Sequence, residues 1–283
     1  MMLFFTKMEG LGNDFIFIDD RNQKISDSFS YNDLAKKLCH RNFGIGGDGL
    51  IVISESIPCD LQFRIFNSDG SEAQMCGNGI RCFAKYVRKK GITDQAKFTV
   101  ETLAGVITPE IILNIRGEIE AIRVDMGEPV LKTVDIPFIS NNEIAISEEI
   151  ETSFGNTAIT TVSMGNPHTV IFVDDVLSAP VTTLGPEIEK NSKFPEKTNV
   201  EFIEVVSRTE LKMKVWERGA GVTLACGTGA CAAVVAAILN DKTDNKVRIT
   251  LDGGSLDIEW DRESNHIFKT GSSELVFEGS IAL

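Results

Sequence analysis

A cysteine followed by glycine, a polar residue and a second glycine occurs twice in the chain, as Cys76-Gly77-Asn78-Gly79 and Cys226-Gly227-Thr228-Gly229. Each copy opens an apolar stretch, and the surroundings repeat with the motif. Aligning Cys76 with Cys226 lays Phe63-Arg64-Ile65-Phe66-Asn67 over Met213-Lys214-Val215-Trp216-Glu217 at the same offset of 150 residues. Gly12-Asn13 resembles Gly165-Asn166 at an offset of 153. Both halves therefore read strand, loop, motif, helix. Two copies are fewer than the roughly three repeats that a stacked solenoid needs, so the repeat predicts two similar domains. A length of 283 residues agrees, because single domains are commonest at about 100–150 residues.

After Cys76, Ile80, Phe83, Ala84 and Val87 recur at the spacing of one helix face, with Lys85, Arg88 and Lys89 toward the far end. The helix is predicted to begin near Gly77. After Cys226, the run Ala230 to Leu239 is apolar on every side, which predicts a helix buried at the centre of its domain. Short alternating segments such as Lys212–Trp216 predict strands around these helices, an α+β fold. Gly44-Ile45-Gly46-Gly47-Asp48-Gly49 has the letters of a dinucleotide fingerprint, but a helical Leu34–Leu38 precedes it and a strand-like Leu50–Ile53 follows. The true fingerprint runs from strand to helix, so this segment reads as a glycine-rich turn into a strand. Phosphate-loop, serine-elbow and zinc-helix motifs are absent.

A hydrophobic content of 42% with mixed charge describes an ordinary globular chain, and a net charge of −13 argues against nucleic acid as a partner. The apolar start Met1–Phe5 reaches Lys7 and Glu9 too soon for an export signal, and the longest apolar run is shorter than the roughly 20 residues that span a bilayer. The expectation is a cytoplasmic protein with reduced thiols and no membrane partner. Its six cysteines contain no C-x-x-C pair and it has only three histidines, so no metal site is expected. Cys39, Cys59, Cys82 and Cys231 read as small buried apolar side chains.

Cys76 and Cys226 differ from those four because each stands at a predicted helix start, where unpaired backbone N–H groups collect. Such groups hold carboxylates and also stabilise a thiolate, while burial in apolar surroundings opposes the charge. Opposed effects of this kind can leave one thiol charged and its twin neutral. That division suits proton abstraction on one face of a carbon and donation on the other.

The stretches Asn67-Ser68-Asp69-Gly70-Ser71-Glu72 leading to Cys76-Gly77-Asn78-Gly79, and Glu217-Arg218-Gly219-Ala220-Gly221 leading to Cys226-Gly227-Thr228-Gly229, resemble diaminopimelate epimerases. Gly10-Leu11-Gly12-Asn13, Met164-Gly165-Asn166-Pro167-His168 and Thr198-Asn199-Val200 add to the likeness, which runs from about residue 6 to the C-terminus. The resemblance implies a cofactor-independent interconversion of LL- and meso-2,6-diaminopimelate, in lysine and peptidoglycan-precursor supply. Cys76 and Cys226 are then the two catalytic bases, and His168 and Glu217 tune them. Asn13, Asn67, Gly77, Asn78, Asn166, Asn199, Glu217, Arg218, Gly227 and Thr228 bind substrate, with Arg218 gripping the distal carboxylate.

The same resemblance implies two pseudo-symmetric domains, each a curved, mainly antiparallel sheet wrapped round a central helix. The expected domains are 1–126 with a returning strand 272–283, and 127–271. A small-molecule substrate is the expected partner, with a homodimer left open as the assembly. Two positions depart from the family pattern. Val222 stands where members generally carry glutamate and where the repeat partner is Glu72, and Gly49 stands where some carry glutamine. Three alternatives remain: a related proline racemase or hydroxyproline epimerase, a thiol redox protein cycling Cys76 and Cys226, and a binding module without catalysis.

Overall fold

Ile80, Phe83, Ala84 and Val87, spaced as one helix face in the sequence, all have no exposed surface in the computed structural model, which describes residues 1–283. The chain forms two compact units, Met1–Val124 with Gly271–Leu283, and Asp125–Thr270. In order, the first unit contains β1 (Met2–Gly10), β2 (Asn13–Asp19), α1 (Tyr31–Leu38), β3 (Gly49–Ser54), β4 (Leu61–Asn67), β5 (Glu72–Ala73) and α2 (Gly77–Lys89). It continues with β6 (Val100–Thr102), β7 (Gly105–Ile107), β8 (Glu110–Leu113) and β9 (Ile119–Asp125). The second contains β10 (Glu148–Thr152), β11 (Gly155–Ser163), β12 (Pro167–Val173), α3 (Val181–Glu189), β13 (Asn199–Ser207) and β14 (Glu210–Glu217). After these come β15 (Gly221–Val222), α4 (Gly227–Leu239), β16 (Lys246–Leu251), β17 (Gly254–Trp260) and β18 (Ile267–Gly271). The final strand, β19 (Glu274–Ala282), returns to the first unit and pairs antiparallel with β1 from Met2↔Ala282 to Glu9↔Glu274.

The two units repeat one strand plan. In the first, the sheet order is β19-β1-β2-β3-β4-β6-β7 with β5 on β4, and in the second it is β10-β11-β12-β13-β14-β16-β17-β18 with β15 on β14. The sheets are mixed rather than purely antiparallel, because β2/β3, β4/β6, β12/β13 and β14/β16 are parallel neighbours. Parallel neighbours need a long crossover, and α1, α2, α3 and α4 supply one each. The architecture is a two-domain, sheet-dominated α+β fold.

Side chains of β2 divide by parity. Ile16 and Ile18 join Leu34, Ala35 and Leu38 of α1 in one core, while Phe17 stacks on Tyr86 of α2 at 5.5 Å between ring centroids. On the α2 side Phe63 of β4 also meets Phe83 edge-on at 5.5 Å. Each fully buried aromatic of this kind contributes about 1.5–3 kcal/mol by leaving water. In the second unit α3 packs with Val200 and Phe202 of β13, and α4, buried from Gly229 to Ala237, touches β11 to β14, β16 and β17. No helix is long and apolar enough to cross a membrane.

Candidate active site

The two thiols sit at equivalent points of the two units. Cys76 is the extended residue (φ −137°, ψ 118°) from which α2 starts, and its sulfur accepts the Gly79 N–H at 3.4 Å. Cys226 is the extended residue (φ −119°, ψ 107°) from which α4 starts, and its sulfur lies 3.7 Å from the Thr228 hydroxyl. Cys76, Gly77, Gly227 and Thr228 are half-buried, whereas Cys226 is only 5% exposed.

In the first unit the polar groups come from β1, β2, the loop before β3, the end of β4 and the start of α2. Asn13, at the start of β2, places its Oδ1 3.7 Å from the sulfur and donates through Nδ2 to Asp48 at 2.6 Å. Asp48 also accepts the Asp14 N–H at 3.1 Å, and Arg41 bridges Asp14 and Asp48 at 2.7 Å each. Lys7, buried on β1, completes the network with Asp14 at 2.6 Å and the Gly46 carbonyl. Burial works to raise the Asp14 carboxyl, but hydrogen bonds from Arg41 and Lys7 outweigh it and hold it down at about 2. Asn67, closing β4, donates to Ser71 at 2.9 Å. Asn78 is buried in the first turn of α2 with its Oδ1 unpaired, an arrangement that costs about 1–3 kcal/mol unless a donor arrives.

Around Cys226 the neighbours are ionisable. His168 and Glu201 have no exposed surface, and His168 Nδ1 meets Glu201 Oε1 at 2.6 Å. The other ring nitrogen, Nε2, lies 3.0 Å from Asn166 Oδ1. Nitrogen, oxygen and sulfur of His168, Glu201 and Cys226 lie within 4.8 Å of one another. Two donors on one tetrahedral ion stand about 3.3 Å apart at ordinary zinc bond lengths, so a 2.6 Å contact marks a shared proton and not a pair of ligands. Burial pushes the Cys226 thiol up, and the carboxylates of Glu217 and Glu201 push it further, so it rests protonated at neutral pH. Burial also raises the Glu201 carboxyl, against the favourable charge and hydrogen bond of His168.

Glu217 closes β14 and accepts the Thr223 hydroxyl. Asn199, at the start of β13, is buried; it donates to the Pro167 carbonyl at 2.8 Å and accepts the Arg218 backbone N–H at 2.9 Å. Its amide thus fixes the two segments that carry His168 and Arg218. The Arg218 guanidinium is exposed and spends one nitrogen on the Glu196 carbonyl at 3.0 Å. Val222 is 51% exposed on β15, so it removes a surface ion pair of the kind Glu72 makes with Arg64 at 2.7 Å, and no core packing is lost.

Of the other cysteines, Cys39, Cys82 and Cys231 are buried, and burial lifts Cys39 and Cys82 to about 12, which leaves them inert. Cys59 departs from its expectation: it is half-buried in the loop before β4, where its N–H is held by Ser56. Glu201 escaped the sequence reading. The available signal was a single charge inside the apolar run Val200-Glu201-Phe202-Ile203, at the position where the repeat places Ile51.

Comparison with known proteins places this geometry. The family model described as diaminopimelate epimerase matches residues 5–132 and 160–276. A diaminopimelate epimerase of Desulforapulum autotrophicum is 56% identical over 283 residues, covering 100% of both chains. One from Heliobacterium modesticaldum is 50% identical over 279 residues, covering 99% of each. Among solved structures, a phenazine biosynthesis protein of Bacillus anthracis superposes with a TM-score of 0.72 at 18% identity, covering 100% of both chains. A hydroxyproline epimerase of Agrobacterium vitis superposes with a TM-score of 0.69 at 14% identity, covering 100% of this chain and 93% of its own. At such identities the structural likeness speaks for the fold, and the close relatives speak for the family. The chain belongs to the diaminopimelate epimerase family.

Proposed function

We propose that the protein interconverts LL- and meso-2,6-diaminopimelate without a cofactor, with Cys76 and Cys226 as the acid and the base. One sulfur, as thiolate, takes the α-hydrogen, while the other, as thiol, gives a proton to the opposite face of the same carbon, and inversion follows. The observation that carries this reading is the pair of helix-start thiols in two topologically equivalent settings, one flanked by uncharged amides and the other by His168, Glu201 and Glu217.

The α-hydrogen beside a carboxylate is a weak acid, so the developing negative charge needs stabilisation. The N–H groups at the starts of α2 and α4, including those of Gly77, Asn78, Gly227 and Thr228, are donors for the reacting carboxylate, and each such donor is worth roughly 3–4 kcal/mol in a water-poor site. Asn78 Oδ1 supplies an acceptor for the substrate ammonium. Asn13, Asn67 and Asn166 bind the polar groups of the substrate, Asn199 orders the loop, and Arg218 keeps enough free N–H groups for a two-point grip on the distal carboxylate. His168 and Glu217 tune the second thiol. The role fits a cytoplasmic biosynthetic enzyme serving lysine and peptidoglycan precursors, acting on a free small molecule as a monomer or homodimer.

The test is incubation of the protein with LL-diaminopimelate in deuterated water. The expected outcome is meso product carrying deuterium at the inverted α-carbon. Cys76→Ser and Cys226→Ser should each lower kcat by about 10²–10⁴-fold, the usual worth of a positioned acid or base. Equal turnover of proline, or an unchanged rate in either variant, overturns the proposal.

A further inference from the structure

The repeat makes the two thiol settings comparable residue by residue. In the first unit Phe15 pairs in register with Gly49 and Phe17 with Ile51; in the second His168 pairs with Asn199 and Val170 with Glu201. His168 therefore occupies the place of Phe15, and Glu201 that of Ile51. The helices agree. A Cβ built on Gly79 meets Ile51 at 3.0 Å and Phe63 at 3.3 Å, and one built on Gly229 meets Glu201 Oε1 at 2.6 Å and Met213 at 3.1 Å. One architectural position thus carries a hydrocarbon pair beside Cys76 and a hydrogen-bonded acid and base beside Cys226.

A carboxylate without exposed surface is costly to keep, and well-packed apolar residues at such a position are often no less stable. Ile51 demonstrates that this fold accepts the apolar solution. Glu201 rests one oxygen on His168 Nδ1, with the Thr169 backbone as a further support, and burial still raises the carboxyl, so the compensation is partial. Its retention points to chemistry and not to packing. The groups that face His168 and Cys226 are Glu201 from β13, Glu217 from the end of β14, and Asn166 from the turn before β12. Glu201 is the one of these bonded to the imidazole at charge-assisted distance.

We propose that Glu201 is a positioning residue for the second thiol: through the proton it shares with Nδ1 it fixes the orientation and tautomer of His168 beside Cys226. This provides the Cys226 half with a buried, hydrogen-bonded acid–base pair that the Cys76 half lacks. The two thiols are thereby made unlike despite their duplicated backbone setting. Gly229 serves the same arrangement by leaving room for the Glu201 carboxylate against the first turn of α4. The inference rests on the epimerase reading for its kinetic consequence only.

The decisive comparison is Glu201→Gln, which keeps the shape and an acceptor for Nδ1–H but removes the charge. Replacing a charged by a neutral acceptor should lower kcat by roughly tenfold or more with KM within about twofold, as expected for support felt mainly in the transition state. A wild-type kcat in the folded variant overturns the inference. A second measurement needs neither turnover nor the variant. With only three histidines, the buried Nδ1–H proton of His168 should appear as a far-downfield resonance in wild-type protein, absent in His168→Asn. Absence of that resonance in wild type overturns the inference even if Glu201→Gln fails to fold. Wild-type protein that shows the resonance but does not epimerise diaminopimelate refutes the functional reading and leaves the pair intact.

Discussion

At the scale of single residues, charge pairing orders the surroundings of the first thiol. Asp14 illustrates the energetics. Its carboxyl titrates at about 2 in the folded protein against 3.8 for a free side chain, so its pairing with Lys7 and Arg41 stabilises the fold fully above pH 3.8. The contribution is lost progressively as pH falls through about 2, below which the carboxyl is protonated in both states. Part of the group faces solvent, which limits its worth to about 1 kcal/mol, or roughly 2–4 °C in melting temperature for a chain of this size. Asp14→Asn should accordingly melt lower than wild type at pH 7, with the gap closing between about pH 4 and pH 2 in a series of thermal melts. A gap independent of pH would show that the charge is not what holds the Asn13 turn.

At the scale of elements, the first turn of α2 is built from Gly77, Asn78 and Gly79, which are poor helix formers, and the Cys76 sulfur caps it by accepting the Gly79 N–H. Structural and catalytic uses of that sulfur are separable by substitution. Serine preserves a capping acceptor and alanine does not, so Cys76→Ala should be about 0.5–2 kcal/mol less stable than Cys76→Ser while both are inactive. Urea unfolding of the two variants checks this, and equal midpoints would remove the capping role. Farther along the same helix two cations are enclosed, whereas Lys89 at its end is exposed. Arg81 and Lys85 are buried, bonded to the carbonyls of Ser272 and Ser273, and Lys85 also pairs with Glu274 at 2.9 Å.

At the scale of the whole molecule, those two cations make the first unit depend on the last residues of the chain. Ending the protein at Gly271 removes the strand that pairs with β1 along its length and takes the Ser272 carbonyl from Arg81 and the Ser273 carbonyl from Lys85, while Arg81 keeps the Gly77 carbonyl. A hydrogen bond to a charged group is worth about 1.5–3 kcal/mol, and an unpaired strand edge invites aggregation. The truncated protein should therefore be largely insoluble or lose its first thermal transition, as measured by solubility and calorimetry. A truncation that is soluble with a wild-type melt would mean that β19 is dispensable.

Periodicity and duplication alone determined the helices that start at Gly77 and Gly227, the strands before them, the α+β class and the two-part organisation, because these follow from local spacing and from a repeat that any alignment of the chain with itself exposes. Duplication also singled out Cys76 and Cys226, and motif likeness added His168 and Glu217. What it could not supply was the pairing of Glu201 with His168, which lie 33 residues apart and meet because β12 and β13 run parallel in one register. The bonds from Arg81 and Lys85 to Ser272 and Ser273, just before β19, were equally hidden, since they join residues about 190 positions apart. Hydrophobic pattern fixes which face of an element is buried, but which polar groups become neighbours on that face depends on strand order, and only the folded chain decides it.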